Sequence, residues 1–182
     1  MADLLAGLPF RILSLADFSG VELPPEGDAS YADNARGKAR AAASATGELA
    51  LADDSGIEVD ALGGGPGVLS ARYGGPDLTD PERCQVMLAE MAGVPWERRG
   101  ARFRCLIAIV CPRRGRETTV EGVVEGVLLE TFRGQGGFGY DPLFFYPPLG
   151  RSFAELAARE KNRVSHRARA IAQARAWLTA AP

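Results

Sequence analysis

Two adjacent carboxylates, Asp53 and Asp54, are the residues whose types and spacing most directly suggest chemistry. They lie in the stretch LALADDSGIEVD, residues 49–60, where a short apolar run bounded by turn residues predicts a buried strand over 49–52. That strand would deliver both carboxylates to its C-terminal end, the edge at which open α/β sheets bind ligands. Neighbouring carboxylates are costly unless a cation or a proton lies between them, and a hard divalent ion is the usual solution. An Asx turn, in which one aspartate bonds its own backbone, explains the same pattern equally well.

The second stretch that could contact a ligand is RGQGGFGYDPLFFY, residues 133–146. Its clustered glycines permit positive φ angles and a close approach of the backbone to a ligand, while Phe138 and Tyr140 offer flat apolar faces. The stretch lacks the Gly-Lys-Ser/Thr ending of a Walker phosphate loop. The competing interpretation is a tight turn between two strands, with Phe144 and Phe145 in the core.

The third stretch is EKNRVSHRAR, residues 160–169, at the start of a predicted C-terminal helix. Ser165 can cap that helix, so that free backbone N–H groups lie beside Lys161, His166 and Arg167, which favours an anion or acceptor site. Basic residues at a helix start oppose the helix dipole and are therefore badly placed for helix stability alone. A solvated charged face and a structural histidine are the ordinary alternatives.

Helices and strands must position these groups. The alanine-rich stretch 30–45 predicts a helix capped by Ser30, with Asp33 three residues on, close to a capping box. Asn34 and Lys38 lie four residues apart and therefore on one helical face. Taken by itself, the pattern favours a capping role for Asp33 and a solvated charge for Lys38.

The remaining elements follow from periodicity. Cys84, Met87 and Met91 recur at helical spacing after a capping box at 79–82, which assigns Cys84 to the core rather than to catalysis. Gly122 and Gly126 mark bulges or close packing within a strand. The other predicted elements are a helix over 1–8 and strands over 10–15, 102–111 and 118–130.

Length and composition limit the classes of function. At 182 residues the chain fits one domain with a sizeable core. A net charge of -2 argues against binding nucleic acid or an anionic membrane through bulk electrostatics. The three cysteines are an odd number without metal-ligand spacing, which indicates a reduced, cytoplasmic protein. We expect no signal peptide, and the sequence contains no apolar run of transmembrane length.

Five motifs occur in order along residues 30–170: SYADNARGKA, LADDSG, GGPGVLSARYGG, GGFGYDPLF and EKNRVSHRARA. Together they resemble the inosine triphosphate pyrophosphatase family, hydrolases that act on non-standard purine nucleoside triphosphates. No single motif is specific, but five in this order span nearly the whole chain.

The resemblance implies one pyrophosphatase domain over residues 1–182. The implied fold class is α/β, with a long mixed central sheet flanked by helices and two lobes with an active-site cleft between them. The implied activity is hydrolysis of inosine, deoxyinosine or xanthosine triphosphate (ITP, dITP, XTP) to the monophosphate and pyrophosphate, with magnesium as cofactor. The resemblance also implies a homodimer.

Carried over position by position, the resemblance makes Asp54 the catalytic proton acceptor and places magnesium on Asp33 and Asp54. Ser55 would touch the substrate. The other implied substrate-binding residues form a wall for the base and a pocket for base and nucleotide: Phe138, Gly139, Tyr140 and Asp141 in the wall, and Lys161, His166 and Arg167 in the pocket.

The sequence departs from the family pattern at two places. The family usually begins with a strand and a Ser/Thr-x-Asn-x-x-Lys loop that grips the phosphates. This chain starts after them, so we expect it to be N-terminally truncated relative to the family. Asp33 stands where family members generally have glutamate, and its shorter side chain can still ligate magnesium directly or through water.

The missing phosphate loop leaves two alternatives to a working enzyme. One is a nucleotide-binding protein impaired in catalysis. The other is a misassembled fragment, because loss of a strand exposes backbone groups that need partners. The sequence does not determine the preference among ITP, dITP and XTP, and it leaves the role of Arg72 open.

Overall fold

The computed structural model describes residues 2–180, and the side chains of residues 4–180. The predicted α/β class is confirmed. The helices are Ala2–Leu5 (α1), Tyr31–Thr46 (α2), Asp80–Glu90 (α3), Ala158–Val164 (α4) and His166–Ala180 (α5). The strands are Ala50–Val59 (β1), Gly100–Cys111 (β2), Arg116–Leu128 (β3), Phe144–Tyr146 (β4) and Arg151–Ser152 (β5).

The five strands form one sheet in the order β1-β2-β3-β4-β5. Strands β3, β4 and β5 pair antiparallel, with Val127 opposite Phe145 and Phe145 opposite Ser152. A short turn over 112–115 joins β2 to β3 and ends at Gly115, whose φ of 59° suits a residue without a side chain. Strands that follow one another in the sequence are thus also neighbours in the sheet.

The chain divides into two compact units. Unit 1 contains the chain up to residue 55, residues 105–122 and the chain from residue 166 onwards. Unit 2 contains residues 56–104 and 123–165. The description of the chain as a single pyrophosphatase domain stays a prediction.

The core of unit 1 uses the alternation of side chains along β2. Cys105, Ile107 and Ile109 are buried against α5, where they meet Ala170 and Ile171. The intervening Ala108 packs against α2 instead, on the small side chains Ala35 and Ala39. Alternate residues of a strand point to opposite faces, so β2 supports one helix on each side. The alanines let α2 approach β2 closely.

The core of unit 2 is aromatic. Phe103 stacks on Phe153 with ring centroids 5.8 Å apart and an interplanar angle of 5°. Cys84, Met87 and Met91 are buried in the same cluster, at the helical spacing read from the sequence. Their assignment to the core is confirmed.

Two strand predictions are wrong, one in the existence of a strand and one in where a strand ends. Residues 10–15 form no strand, and Phe10, Ile12 and Leu13 are more than 40% exposed. An alternating segment becomes a strand only when another strand pairs with it, and none does so within residues 2–180. By contrast, β1 continues to Val59, past the Ser-Gly pair that suggests a turn. The aspartates at 53 and 54 therefore lie inside a strand rather than at its end.

Candidate active site

Asp53 and Asp54 occupy different surroundings although they are adjacent. Both lie on β1, where successive side chains point to opposite sides. Asp54 is 8% exposed, whereas Asp53 is only half-buried. The two carboxylates therefore do not share one proton or one cation in this arrangement, and each has its own partners.

Helix α2 supplies the partners of Asp54. The amide Nδ2 of Asn34 donates to Asp54 Oδ2 at 3.0 Å, and Lys38 Nζ donates to Asp54 Oδ1 at 3.4 Å. Asn34 and Lys38 share one helical face, as the sequence predicts. Lys38 is therefore not the solvated charge of the ordinary interpretation, because its ammonium pairs with a buried carboxylate.

The connector before α2 completes this group. Asn34 Oδ1 accepts from the backbone N–H of Gly27 at 2.8 Å, and its Nδ2 also donates to the Gly27 carbonyl oxygen at 3.1 Å. Lys38 Nζ also pairs with Glu26 Oε1 at 2.6 Å. The sequence gives no signal for these contacts, because residues 23–28 are recognisable only as a connector. We call Asp54, Asn34, Lys38 and Glu26 the carboxylate cluster.

The surroundings of Asp54 and Lys38 shift the pKa values of both groups. Burial raises the pKa of Asp54, although the hydrogen bond from Asn34 and the charge of Lys38 act in the opposite direction. Burial by itself would lower the pKa of Lys38, but its bond to Glu26 and the attraction of Asp54 outweigh this effect, and the net result is a raised value. Lys38 is therefore a stable cation beside the carboxyl group.

Asp33 acts as part of the helix cap. Its backbone N–H donates to Ser30 Oγ at 3.1 Å, and Ser30 Oγ donates to Asp33 Oδ2 at 2.7 Å. The side chain is exposed on the first turn of α2. The cap by Ser30 is confirmed, with the Asp33 carboxylate bonded to the hydroxyl of the capping residue, and the metal-binding role of Asp33 stays a prediction.

Arg167 is the main partner of Asp53. Its Nε and Nη2 atoms both donate to Asp53 Oδ2, at 3.0 and 2.9 Å. Ser55 Oγ donates to the same oxygen at 3.2 Å. Three residues from two stretches that are far apart in the sequence thus meet in unit 1.

His166 begins α5 next to Arg167 and is 4% exposed. Strand β3 fixes the position of this helix start, because a Cβ on Gly122 would lie 2.1 Å from the His166 carbonyl oxygen. Only glycine permits such an approach. The predicted close packing at Gly122 is confirmed.

In unit 2, the glycine-rich stretch forms a loop over 137–141 that we call the glycine loop. Asp141 is 1% exposed, and its Oδ2 accepts from the Phe138 N–H at 2.9 Å and forms an ion pair with Lys161. Gly137 has a φ of 74°, and a Cβ there would lie 2.1 Å from Asp141 Oδ2. The loop therefore folds around a buried carboxylate.

The glycine loop presents the ring of Phe138 at the surface, where it is 58% exposed. The Lys161 ammonium lies 4.2 Å from the ring centroid. Helix α3 holds the next residue from both sides: Gly139 N–H donates to Asp80 Oδ2 at 2.6 Å, and Cys84 Sγ donates to the Gly139 carbonyl oxygen at 3.5 Å. These contacts make Phe138 an exposed aromatic side chain on a fixed backbone.

Tyr140 differs from Phe138 because its side chain is 4% exposed and belongs to the core of unit 2. Its hydroxyl donates to the Ser70 carbonyl oxygen at 2.8 Å, and burial raises its pKa. The substrate contact expected at Tyr140 stays a prediction.

The model of the Ham1 family matches residues 1–177. The chain belongs to the Ham1 family. The dITP/XTP pyrophosphatase of Desulforamulus reducens is 49% identical over 174 residues, which cover 96% of this chain and 86% of the relative. The dITP/XTP pyrophosphatase of Thermus thermophilus is 51% identical over 167 residues, covering 92% of this chain and 79% of the relative.

Solved structures of Ham1 proteins have the same fold. The HAM1 protein from Coxiella burnetii aligns with a TM-score of 0.87 at 40% identity, over 98% of this chain and 91% of that chain. A nucleoside-triphosphatase / dITP/XTP pyrophosphatase from Mycobacterium abscessus aligns with a TM-score of 0.78 at 43% identity, over 95% and 89%. Both likenesses support the family assignment.

Sequence reasoning missed several residues of this Ham1 chain that organise the site. The role of Asn34 could have been found, since it shares a helical face with Lys38. The bond from Gly139 to Asp80 joins residues 59 positions apart and leaves no local pattern.

No helix within residues 2–180 has the length and hydropathy needed to cross a membrane.

Proposed function

We propose that this Ham1 chain is a nucleoside triphosphate pyrophosphatase that hydrolyses the non-standard purine nucleotides ITP, dITP and XTP to the monophosphate and pyrophosphate. The observation that carries the proposal is the buried Asp54 with Asn34 and Lys38, in a chain 49% identical to a dITP/XTP pyrophosphatase. Such a site has a carboxylate to accept a proton and a cation to offset negative charge. A nucleotide-binding protein without turnover is not favoured.

Asp54 is the general base of the proposed reaction. Its carboxylate accepts the proton of the attacking water as hydroxide character develops in the transition state. Asn34 holds the orientation of the carboxylate, since its amide binds both Asp54 and the backbone of Gly27. Lys38 lies beside it as a cation that can also meet a phosphate oxygen.

Asp33 and Asp54 would hold a magnesium ion. Within residues 2–180 no group of three or more His, Cys, Asp or Glu side chains could hold a metal by itself. Magnesium usually binds one or two carboxylates together with phosphate oxygens and water, so the carboxylate oxygens of Asp33 and Asp54 are ligands of the type that it prefers. The ion would neutralise the triphosphate and polarise the bond that breaks.

In this proposal His166 and Arg167 recognise the purine base of the nucleotide. N–H donors aimed at the base edge favour the 6-oxo acceptor of hypoxanthine or xanthine. Adenine presents an amino donor there and would leave the donors of the protein unpaired, at a cost of about 1–3 kcal/mol for each buried group. Ser55 contacts the substrate from β1.

Unit 2 supplies a stacking surface. The exposed ring of Phe138 offers a flat face to a purine, and the ammonium of Lys161 lies at that ring. The Gly139 to Asp141 backbone belongs to the same substrate contact.

A homodimer and a cytoplasmic location are further parts of the proposal. Free thiols at Cys84, Cys105 and Cys111 are what a reducing compartment maintains.

The test is pyrophosphate release from ITP, dITP and XTP, with ATP as the matched control, in magnesium and after chelation with EDTA. We expect rapid release from the 6-oxo purines, slow release from ATP, and no release in EDTA. Binding of ITP without pyrophosphate release would instead select the nucleotide-binding alternative. Undiminished release in EDTA would remove magnesium from the proposal but not the activity.

A further inference from the structure

The guanidinium of Arg167 is bound through its side edge rather than its tip. Its Nε and Nη2 atoms converge on one carboxylate oxygen, Asp53 Oδ2, at 3.0 and 2.9 Å. Two bonds from adjacent donors of a planar group hold this edge of the guanidinium against Asp53 and restrict its rotation. The opposite edge of the guanidinium therefore points away from Asp53.

The oxygen that receives these bonds is itself held in place. Ser55 Oγ donates to Asp53 Oδ2 at 3.2 Å, and Cys105 Sγ on the neighbouring β2 lies 3.9 Å from it. Asp53 and Ser55 are two residues apart on β1 and share one side of the strand. The anchor of Arg167 is thus built on two strands of the sheet.

We infer that Asp53 is a positioning residue that sets base selectivity through Arg167, an inference that rests on the proposed function. Arg167 can discriminate a 6-oxo group from a 6-amino group only if its donors stay at one place. Without Asp53 the guanidinium would lose two bonds that restrict its rotation, and the loss of one negative charge beside it would strengthen its attraction for phosphate regardless of the base. Both effects weaken selectivity.

The partners of Asp53 separate this role from catalysis. Asp54 bonds to Asn34 and Lys38, whereas Asp53 bonds to Arg167 and Ser55. Loss of the Asp53 charge should therefore change how the base is recognised more than how water is activated. The expected signature is a raised KM for ITP and a lowered preference for ITP over ATP, with kcat for ITP changed by less than about threefold.

The first experiment is Asp53→Asn, which keeps the shape and removes the charge. The ratio of kcat/KM for ITP to that for ATP should fall by about tenfold or more, since one oriented donor pair distinguishes the two bases. Arg167→Lys keeps the charge but loses the fork, and it should cause a similar loss. An unchanged ratio in Asp53→Asn would overturn the inference, whatever the result for Arg167→Lys.

A double-variant cycle tests whether Asp53 acts through Arg167. In an Arg167→Ala background, Asp53→Asn should have no further effect on the ratio, because its target is already absent. Equal and additive effects in the two backgrounds would contradict the positioning role. The matched control is Glu117→Gln, which removes the acid of another two-bond pair in unit 1, with Arg40. It should leave the ratio unchanged.

Calorimetric binding of inosine and adenosine monophosphates separates this inference from the proposed function. If the unaltered protein releases no pyrophosphate from ITP, the proposed function fails, and the preference for inosine monophosphate still reports on Asp53. If the unaltered protein is active and selective, but Asp53→Asn binds the two monophosphates with the original preference, only the inference fails.

Discussion

The carboxylate cluster of unit 1 and the glycine loop of unit 2 are built in different ways. In the cluster, two polar side chains of a helix bond to Asp54 on a strand, and Glu26 of the preceding connector pairs with Lys38 of that helix. In the loop, one buried carboxylate, Asp141, folds the backbone around itself and leaves Phe138 exposed. The cluster places charge, and the loop places an apolar surface. Substitutions should therefore affect chemistry in the first and affinity or stability in the second.

The largest expected effect is loss of turnover in Asp54→Asn. The amide keeps the shape of the side chain but removes the proton acceptor, and general bases contribute about 10²- to 10⁴-fold. We expect kcat for ITP to fall by at least that factor while the melting temperature changes little. Glu48→Gln is the control, because it removes an acid from the exposed pair with Arg113. Near-normal turnover in Asp54→Asn would exclude this residue as the base.

Local patterns made the helix of the carboxylate cluster predictable. Ser30 and Asp33 form a cap within one turn, and Asn34 and Lys38 share a face because of helical spacing alone. The contact between Asp53 and Arg167 joins residues 114 positions apart, so no local periodicity encodes it. The motifs could nominate both residues but could not pair them.

The predicted strand over 10–15, which does not form, also shows that local patterns do not determine tertiary contacts. Phe10 and Ile12 alternate with Arg11, as Leu13 and Leu15 do with Ser14, but a strand also needs a partner. Similarly, the Ser-Gly pair after Asp54 reads locally as a turn, while pairing within the sheet keeps it in β1. Pairing is a tertiary property, and it overrides the local preference.

The second prediction concerns the glycine loop. Asp141→Ala removes the partner of Lys161, whose side chain is 12% exposed, and breaks the bond to the Phe138 N–H. Breaking a buried ion pair on one side costs about 3–5 kcal/mol, so the melting temperature should fall clearly. Asp141→Asn, which can still accept the N–H, should lose less. A melting temperature unchanged in both variants would show that the loop does not depend on this carboxylate.

Phe138→Ala should have a smaller effect, confined to substrate affinity. The ring is 58% exposed, so its removal leaves no cavity in the core. Stacking of a base on an aromatic ring is worth about 1–3 kcal/mol, and KM for ITP should rise accordingly while kcat and the melting temperature stay the same. Phe138→Tyr keeps the flat face and should behave like the unaltered protein. Equal KM values for the alanine and tyrosine variants would exclude stacking at this position.

The smallest effect is expected from thiol alkylation, which tests how tightly the protein packs around Cys84 beside the glycine loop and around Cys105 beside Asp53. Burial raises the pKa of Cys84, near the glycine loop, and of Cys105, near Asp53, to about 12. At pH 8 only about one in ten thousand of such thiols is the reactive thiolate. Iodoacetamide should therefore label the half-buried Cys111 alone, with activity retained, as read by peptide mass spectrometry. Labelling of Cys84 but not Cys105 in the folded protein would show that α3 opens away from the glycine loop while β2 stays closed, and the two regions would then differ in mobility as well as in construction.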